Sequence, residues 1–229
     1  MLFYSPEIDD GNHSLSEEEL RHAVKVLRLK AGDPLKITDG KGKIFNAKVT
    51  KISKSACDFE IINSITVPKK NHSIHIAIAP TKNIDRIEWF VEKVTELGVD
   101  EISFVHSQNS ERKVINLERI QKKAISAMKQ SGQAWLPLIH PIQPLKNIYS
   151  VRQSNKFIAY VDQANPMHLK EAKPNGQYIV LIGPEGDFTQ EELAFTTNHG
   201  YQKVSLGKTT LRTETAGVVA CHILNLINE

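Results

Sequence analysis

Two glycine-containing stretches in the last third of the chain decide the fold: LIGPEGDFT at residues 181–189 and SLGKTTLRTETAG at residues 205–217. Each follows a short apolar, β-branched run and leads into a sequence with helical periodicity. Glycine suits both places because it lets the backbone turn sharply or approach another group closely. The order strand, glycine turn, helix is typical of ligand sites at the edge of an open α/β sheet. The two stretches therefore predict loops that jointly hold a nucleotide-like cofactor.

The first stretch is not a phosphate-binding motif. GPEG at residues 183–186 lacks the Gly-Lys-Ser/Thr ending of a P-loop, and its spacing is shorter than that of the dinucleotide fingerprint. Backbone groups exposed at Gly186 can instead bind the edge of an adenine. A tight strand-to-helix turn without a ligand is the alternative, and these residues alone leave both interpretations open.

The second stretch places Arg212 just before a helix whose free amides and dipole favour a negative partner. A guanidinium at this point can hold a carboxylate or a phosphate through two parallel hydrogen bonds. Thr215, Ala216 and Gly217 are small, so the helix can approach another group closely. A surface ion pair for Arg212 and plain helix packing for the small residues are the alternatives.

The periodicity predicts two domains, residues 1–70 and 71–229, joined at the polar segment 67–71. Ser16 is the expected N-cap of a short helix, and alternating strands with glycine turns over residues 34–62 predict a small β-barrel or sandwich. In the second domain strands alternate with helices, which predicts a parallel sheet with helices on both faces. Its predicted strands are 74–79, 102–105, 157–161, 178–182 and 204–206, and its predicted helices are 85–97, 117–129, 189–199 and 213–227.

The composition excludes a membrane protein and a disulfide scaffold. The 229 residues are 40% hydrophobic and 24% charged, as in ordinary soluble proteins, and no apolar run approaches the roughly 20 residues that span a bilayer. Cys57 and Cys221 match no metal-binding spacing, and the nine histidines show no metal motif. We therefore expect reduced thiols, no metal site and a cytoplasmic location.

Positive charge is concentrated near the N-terminus, although the net charge is only +3. Residues 20–54 hold ten Lys and Arg residues against two Asp residues, whereas residues 71–229 hold 17 basic and 16 acidic residues. A basic segment beside a nearly neutral body is typical of a phosphate-binding surface. A solvated face of lysines is the alternative, and charge alone does not separate the two.

Five groups of residues resemble, in order, the bacterial 16S ribosomal RNA uridine N3-methyltransferases of the SPOUT superfamily. They are His22 with 26–28 (VLR), 86–89 (RIEW) with 95–98 (TELG), 130–132 (QSG), 182–186 (IGPEG), and 206–207 (LG) with 211–216 (LRTETA). The similarity covers nearly the whole chain, and its last two motifs are the most specific. Three places depart from the family pattern: Asp187 replaces a usual glycine, Gln133 replaces a frequent arginine, and residues 208–210 (KTT) replace a frequent Pro-Arg-Ile.

The resemblance implies a PUA-like RNA-binding β-barrel followed by a SPOUT domain with a deep trefoil knot, an exception to the rule that chains are unknotted. It also implies a homodimer that binds S-adenosyl-L-methionine in the knot. The implied reaction is methylation of N3 of a uridine in the 16S ribosomal RNA of the small ribosomal subunit, without a metal or a membrane.

The resemblance also implies site residues. Cofactor-binding residues are expected in the two glycine loops, at Leu181, Ile182, Gly183, Pro184, Glu185, Gly186, Ser205, Leu206, Gly207, Leu211, Arg212 and Thr215. Arg212 and Glu185 are the catalytic candidates. Arg212 is expected to stabilise negative charge on the uracil or to orient the RNA phosphate beside it. Glu185 is the candidate for removing the N3 proton, and solvent is the alternative acceptor. RNA contacts are expected at His22, Arg28, Lys82, Arg86, Arg112, Gln130 and Ser131.

Two other functions remain open at this stage. The same cofactor pocket can serve another RNA, such as a transfer RNA, or the chain can be an RNA-binding module without catalysis. The intact glycine loops favour an enzyme.

Overall fold

The computed structural model describes residues 2–11, 13–150, 154–160 and 167–229, excluding the side chains of residues 149 and 150. The chain divides into two compact units. The first unit contains Met1–Lys69 and Ile125–Leu136, and the second contains Lys70–Ala124 and Pro137–Glu229.

The described part of the first unit contains one complete α-helix, the end of a second helix and a four-stranded sheet. Its elements are β1 (Leu2–Tyr4), α1 (Glu17–Lys25), β2 (Pro34–Thr38), β3 (Lys43–Ile52) and β4 (Cys57–Thr66). The strand order is β1-β2-β3-β4, with β1 parallel to β2 and the other pairs antiparallel. The Ser16 side chain caps α1 by accepting a hydrogen bond from the backbone N–H of Glu19, as predicted. Leu20 of α1 packs with Phe45 of β3 in the core of this unit.

Residues 125–136 belong to the first unit, although the sequence analysis placed them in the second domain. Hydrogen bonds explain this assignment. The hydroxyl of Thr38 donates to the carbonyl of Ala134 at 3.3 Å, and the indole N–H of Trp135 donates to the carbonyl of Val67 at 3.0 Å. Gly42 lies against the Trp135 ring so closely that a Cβ at this position would overlap it. Periodicity along the chain could not show these long-range contacts.

The second unit contains a parallel six-stranded sheet. Its elements are β5 (Ser73–Ile78), α2 (Ile84–Glu96), β6 (Glu101–His106), α3 (Leu117–Ser131, which ends in the first unit), β7 (Leu138–Pro144), β8 (Asn155–Ala159), β9 (Gln177–Ile182), α4 (Gln190–Asn198), β10 (Gln202–Val204) and α5 (Thr213–Leu226). The strand order is β10-β8-β9-β5-β6-β7, and every pairing is parallel. The predicted parallel sheet is confirmed.

Strand β7 is not among the predicted strands, because its sequence contains prolines. Pro141 and Pro144 lack the N–H that a central strand needs. β7 lies at the edge of the sheet and pairs only with β6, so the missing donors are tolerated there.

Helices cover both faces of this sheet. On one face, Gly217 of α5 lies against Phe90 of α2 and Ile78 of β5, and a Cβ at residue 217 would overlap the Phe90 ring. On the other face, Leu193 of α4 packs with Ile179 of β9. The small size of Gly217 therefore serves close packing between helices, which was the alternative interpretation of this residue.

The trefoil knot stays a prediction. Residues 161–166, which follow β8, lie outside the described residues, and so does Val161 of the predicted strand 157–161. Within the described ranges, no helix combines the length and the apolar character that a membrane crossing requires.

Candidate functional site

A cavity of about 600 Å³ opens in the second unit at the carboxyl ends of β8, β9 and β10. Cavities of about 300–1,000 Å³ are typical of sites for small molecules and cofactors. Both glycine loops and the first turn of α5 form its wall. The lining residues are Ala159, Tyr160, Ile182, Gly183, Pro184, Glu185, Asp187, Val204, Ser205, Leu206, Gly207, Lys208, Thr209, Thr210, Leu211, Arg212, Thr213 and Ala216.

Hydrogen bonds fix the two loops. The hydroxyl of Thr213, in the first turn of α5, donates to the carbonyl of Gly183 at 3.0 Å and so joins the second loop to the first. The hydroxyl of Ser205 accepts a hydrogen bond from the Gly207 N–H at 3.2 Å. Gly207 has φ +147°, a conformation that side chains disfavour, so glycine is required by the turn itself.

Each of the two glycines of the first loop lies against a different side chain. A Cβ on Gly183 would lie 3.0 Å from the ring of buried Phe188. A Cβ on Gly186 would lie 3.2 Å from Cβ of Asn109, a residue of the loop after β6. The side of Gly186 that would carry a Cβ therefore faces Asn109, and Gly186 is not among the residues that line the cavity.

Charged groups stand at the cavity. Arg212 is the N-cap residue of α5; its side chain is exposed, caps no backbone amide, and forms no ion pair with any described residue. Glu185 and Asp187 bring carboxylates from the first loop. Burial raises the pKa of Asp187, and the hydrogen bond it accepts from the Phe188 N–H opposes this shift. Asp187 also has φ +59°, a left-handed conformation that glycine adopts most easily and that aspartate tolerates better than most residues.

Arg86 links two carboxylates beside the cavity. Its guanidinium lies 4.0 Å from Oε1 of Glu185 and 3.8 Å from Oε1 of Glu214 in α5. These carboxylates offset the unfavourable position of a cation in the first turn of α2. Glu214 is 6% exposed, and its Oε2 has no hydrogen-bond partner among the described residues.

Nine of the twelve predicted cofactor residues line the cavity: Ile182, Gly183, Pro184, Glu185, Ser205, Leu206, Gly207, Leu211 and Arg212. Leu181, Gly186 and Thr215 do not. Leu181 is fully buried in the apolar core because alternate residues of a strand point to opposite faces of the sheet. Thr215 is half-buried in α5, where the cavity-facing positions are Thr213 and Ala216.

Tyr160 lines the cavity and was missed. It follows directly after β8, its hydroxyl lies 3.4 Å from the Gln190 amide nitrogen, and the Lys203 ammonium lies 5.2 Å from its ring centre. Its place at the carboxyl end of a predicted strand was the available signal, because ligands of open parallel sheets bind there.

The predicted RNA contacts of the second unit have partners within it. Lys82 forms an exposed ion pair with Glu111 at 3.1 Å. Arg112 donates to the carbonyls of Thr81 and Lys82, which fixes the loop after β6 to the loop after β5. Arg112 therefore has a structural role that the sequence analysis did not anticipate.

Three of the four predicted RNA contacts of the first unit are exposed, and His22 is half-buried. Arg28 is exposed with φ +52°, and Gln130 is exposed at the end of α3. The His22 ring packs edge-on against Phe3 at 6.3 Å between ring centres. Ser131 donates to the carbonyl of Ala127 in its own helix at 2.8 Å, so this hydroxyl has an intrahelical partner. These four residues are not among those that line the cavity.

No group of three or more His, Cys, Asp or Glu residues in the described part of the chain is arranged to hold a metal ion. The two cysteines are buried and unpaired.

Comparison with known proteins identifies the family. A family model for an RNA methyltransferase domain matches residues 68–225, and one for an RNA methyltransferase PUA domain matches residues 15–62. The structure of a ribosomal RNA small subunit methyltransferase E from Neisseria gonorrhoeae, bound to S-adenosyl methionine, is 30% identical and superposes with a TM-score of 0.87. That alignment covers 99% of this chain and 97% of the other. The chain belongs to the ribosomal RNA small subunit methyltransferase E family.

Two other relatives are also similar to this chain over most of their length. A protein described as a probable rRNA-methyltransferase from Porphyromonas gingivalis is 40% identical, with a TM-score of 0.92 over 99% of this chain and 98% of that one. The ribosomal RNA small subunit methyltransferase E of Rickettsia conorii is 25% identical over 218 residues, covering 93% of this chain and 88% of the relative.

Proposed function

We propose that this chain transfers a methyl group from S-adenosyl-L-methionine to N3 of a uridine in the 16S ribosomal RNA of the small ribosomal subunit. We further propose that it acts as a homodimer in the cytoplasm, with the first unit (the PUA-like unit) binding RNA. The observation that carries the proposal is the cavity that both glycine loops enclose at the carboxyl ends of β8, β9 and β10.

The residues of the cavity fit the cofactor. Backbone groups of the two loops and the apolar side chains of Ile182, Leu206 and Leu211 would hold the adenosine part. The carboxylates of Glu185 and Asp187 complement a positive charge, and Arg212 complements a carboxylate. When bound, the cofactor supplies an electrophilic methyl group on a positively charged sulfonium.

The protein must then make the uridine nucleophilic. N3 of uracil carries an imide proton, and negative charge spreads onto the neighbouring oxygens as the proton leaves. Arg212 is exposed at the cavity and can stabilise this developing charge, because a positioned cation is most effective where charge appears in the transition state. Glu185 is the candidate to accept the proton, and its pairing with Arg86 orients its carboxylate.

Two features support RNA binding and dimer formation. The exposed side chains Arg21, Lys25, Arg28 and Lys30 belong to the basic segment of the first unit, as expected for a surface that contacts phosphates.

Helix α5 is apolar around most of its circumference, and Leu226 is 56% exposed while Val218, Val219 and Ile223 are only half-buried. An apolar helix face left open in one chain is typical of an interface, and a second copy would cover it.

The test offers purified small subunits, free 16S RNA and transfer RNA in turn as acceptors of a labelled methyl group from the cofactor. Label in the RNA is the expected result, and labelled transfer RNA in its place would favour another substrate. Cofactor binding without transfer to any RNA would contradict the proposal.

A further inference from the structure

Asn109 holds the first glycine loop from outside the cavity. Its side-chain nitrogen lies 3.0 Å from the carbonyl oxygen of Gly186 and 2.9 Å from that of Asp187. Carbonyl oxygens only accept hydrogen bonds, so the amino group must face them and both of its protons are used. The same residue packs against Gly186, where a Cβ would come within 3.2 Å of Cβ of Asn109.

The loop that carries Asn109 is itself anchored. The N–H of Ser107 donates to the hydroxyl of Ser110 at 3.0 Å, and both serines are buried. The backbone N–H of Gln108 donates to Glu192 in the first turn of α4 at 2.8 Å. Arg112 fixes the far end of the loop to the carbonyl of Thr81. Asn109 therefore projects from a fixed turn onto a loop that glycine residues would otherwise leave free to move.

The two carbonyls that Asn109 holds belong to residues beside the charged part of the cavity. Gly186 lies between Glu185 and Asp187, both of which line the cavity. The Gly186 and Asp187 carbonyls belong to the two peptide planes that flank Asp187, so their displacement moves the Asp187 carboxylate.

We propose that Asn109 is a positioning residue for the methyl donor. It acts through the backbone of Gly186 and Asp187 and keeps the first glycine loop in its binding conformation before the cofactor arrives. The proposal rests on the function proposed above, in which this loop holds S-adenosyl-L-methionine. Pre-ordering of a loop raises affinity because less conformational entropy is lost on binding.

The matched variants are Asn109→Asp, Asn109→Gln and Gln108→Ala. Aspartate has the shape of asparagine but cannot donate, and its charge faces two carbonyl oxygens. Glutamine keeps the amino group on a side chain one methylene longer. Gln108 is exposed and contributes its backbone N–H to the anchor, which alanine retains.

The first measurement is amide hydrogen exchange of residues 185–188 in the cofactor-free protein. We expect faster exchange in Asn109→Asp, partial protection in Asn109→Gln and wild-type rates in Gln108→Ala. The second is the dissociation constant of S-adenosyl-L-methionine by calorimetry, well below the unfolding temperature. We expect it to rise about 5- to 30-fold in Asn109→Asp, since two partly hydrated hydrogen bonds are lost.

Wild-type exchange rates in Asn109→Asp would overturn the proposal. Faster exchange with unchanged cofactor affinity would also overturn it, because Asn109 would then be structural only. The exchange measurement uses neither cofactor nor RNA, so failure of the wild-type protein to methylate RNA would count against the proposed function and not against the role of Asn109.

Discussion

The hydrogen bond from Thr213 to Gly183 is the contact that joins the two glycine loops, and replacing Thr213 by valine removes it alone. Valine has the same shape as threonine, so the substitution opens no cavity, but the Gly183 carbonyl loses a partner that lies 3.0 Å away. Thr213 is 6% exposed, so water replaces the hydroxyl poorly. Loss of a net hydrogen bond together with a poorly solvated acceptor costs about 1–3 kcal/mol.

Scanning calorimetry measures this cost in the unfolding transition of the second unit. We expect a decrease in Tm of about 2–10 °C for Thr213→Val, from the usual relation between stability and Tm for a unit of this size. Thr210→Val is the control, because Thr210 is exposed in the same loop, and its effect should stay within about 0.5 kcal/mol. Thr213→Ser keeps the donor and should retain cofactor affinity, whereas Thr213→Val should weaken it. Equal Tm and equal affinity in Thr213→Val and wild type would refute the role of this hydrogen bond.

Three further predictions concern single side chains. Arg212→Ala should abolish methyl transfer and leave the Tm unchanged, because the side chain is exposed and forms no ion pair with any described residue; turnover near wild type would reject its catalytic role. Burial, together with repulsion from His140, lowers the pKa of His75 in the folded protein to about 3. In the unfolded chain His75 has the ordinary histidine pKa of about 6.5, so below that pH the unfolded chain binds a proton that the folded protein does not. Stability should therefore fall by about 1.4 kcal/mol per pH unit below that pH, and urea unfolding of His75→Gln between pH 6.5 and 5 should show a shallower slope. Burial raises the pKa of Asp187, so its charge costs stability above the unfolded pKa; Asp187→Asn should raise Tm at pH 7 but not at pH 3, and an equal change at both would contradict this cause.

Sequence patterns predicted the features that depend on residues close together in the chain. Ser16 caps α1 as predicted, and Thr189 forms a capping box with Glu192 at the start of α4. The predicted strands of the second unit agree with the structure in number and direction, except for the proline-containing β7. The two glycine loops do enclose a cavity, as expected from their position after strands of the same sheet.

The remaining features depend on contacts between distant residues. Nothing near Gly186 in the sequence indicates that its neighbour is Asn109, and nothing near Trp135 indicates that it packs on Gly42. A glycine leaves space because it lacks a Cβ, and the sequence does not show whether a ligand or a side chain fills that space. The same holds for Arg112, because the sequence alone does not distinguish an arginine that binds backbone carbonyls from one that binds RNA.

The central claim is methylation of one uridine of 16S ribosomal RNA at N3, and mass spectrometry of that RNA tests it most directly. RNA from cells that lack this protein is compared with RNA from the same cells carrying the wild-type or the Arg212→Ala chain. We predict a single N3-methyluridine that disappears without the protein, returns with the wild-type chain and does not return with Arg212→Ala. An unchanged pattern of modified nucleotides in the 16S RNA would contradict the account.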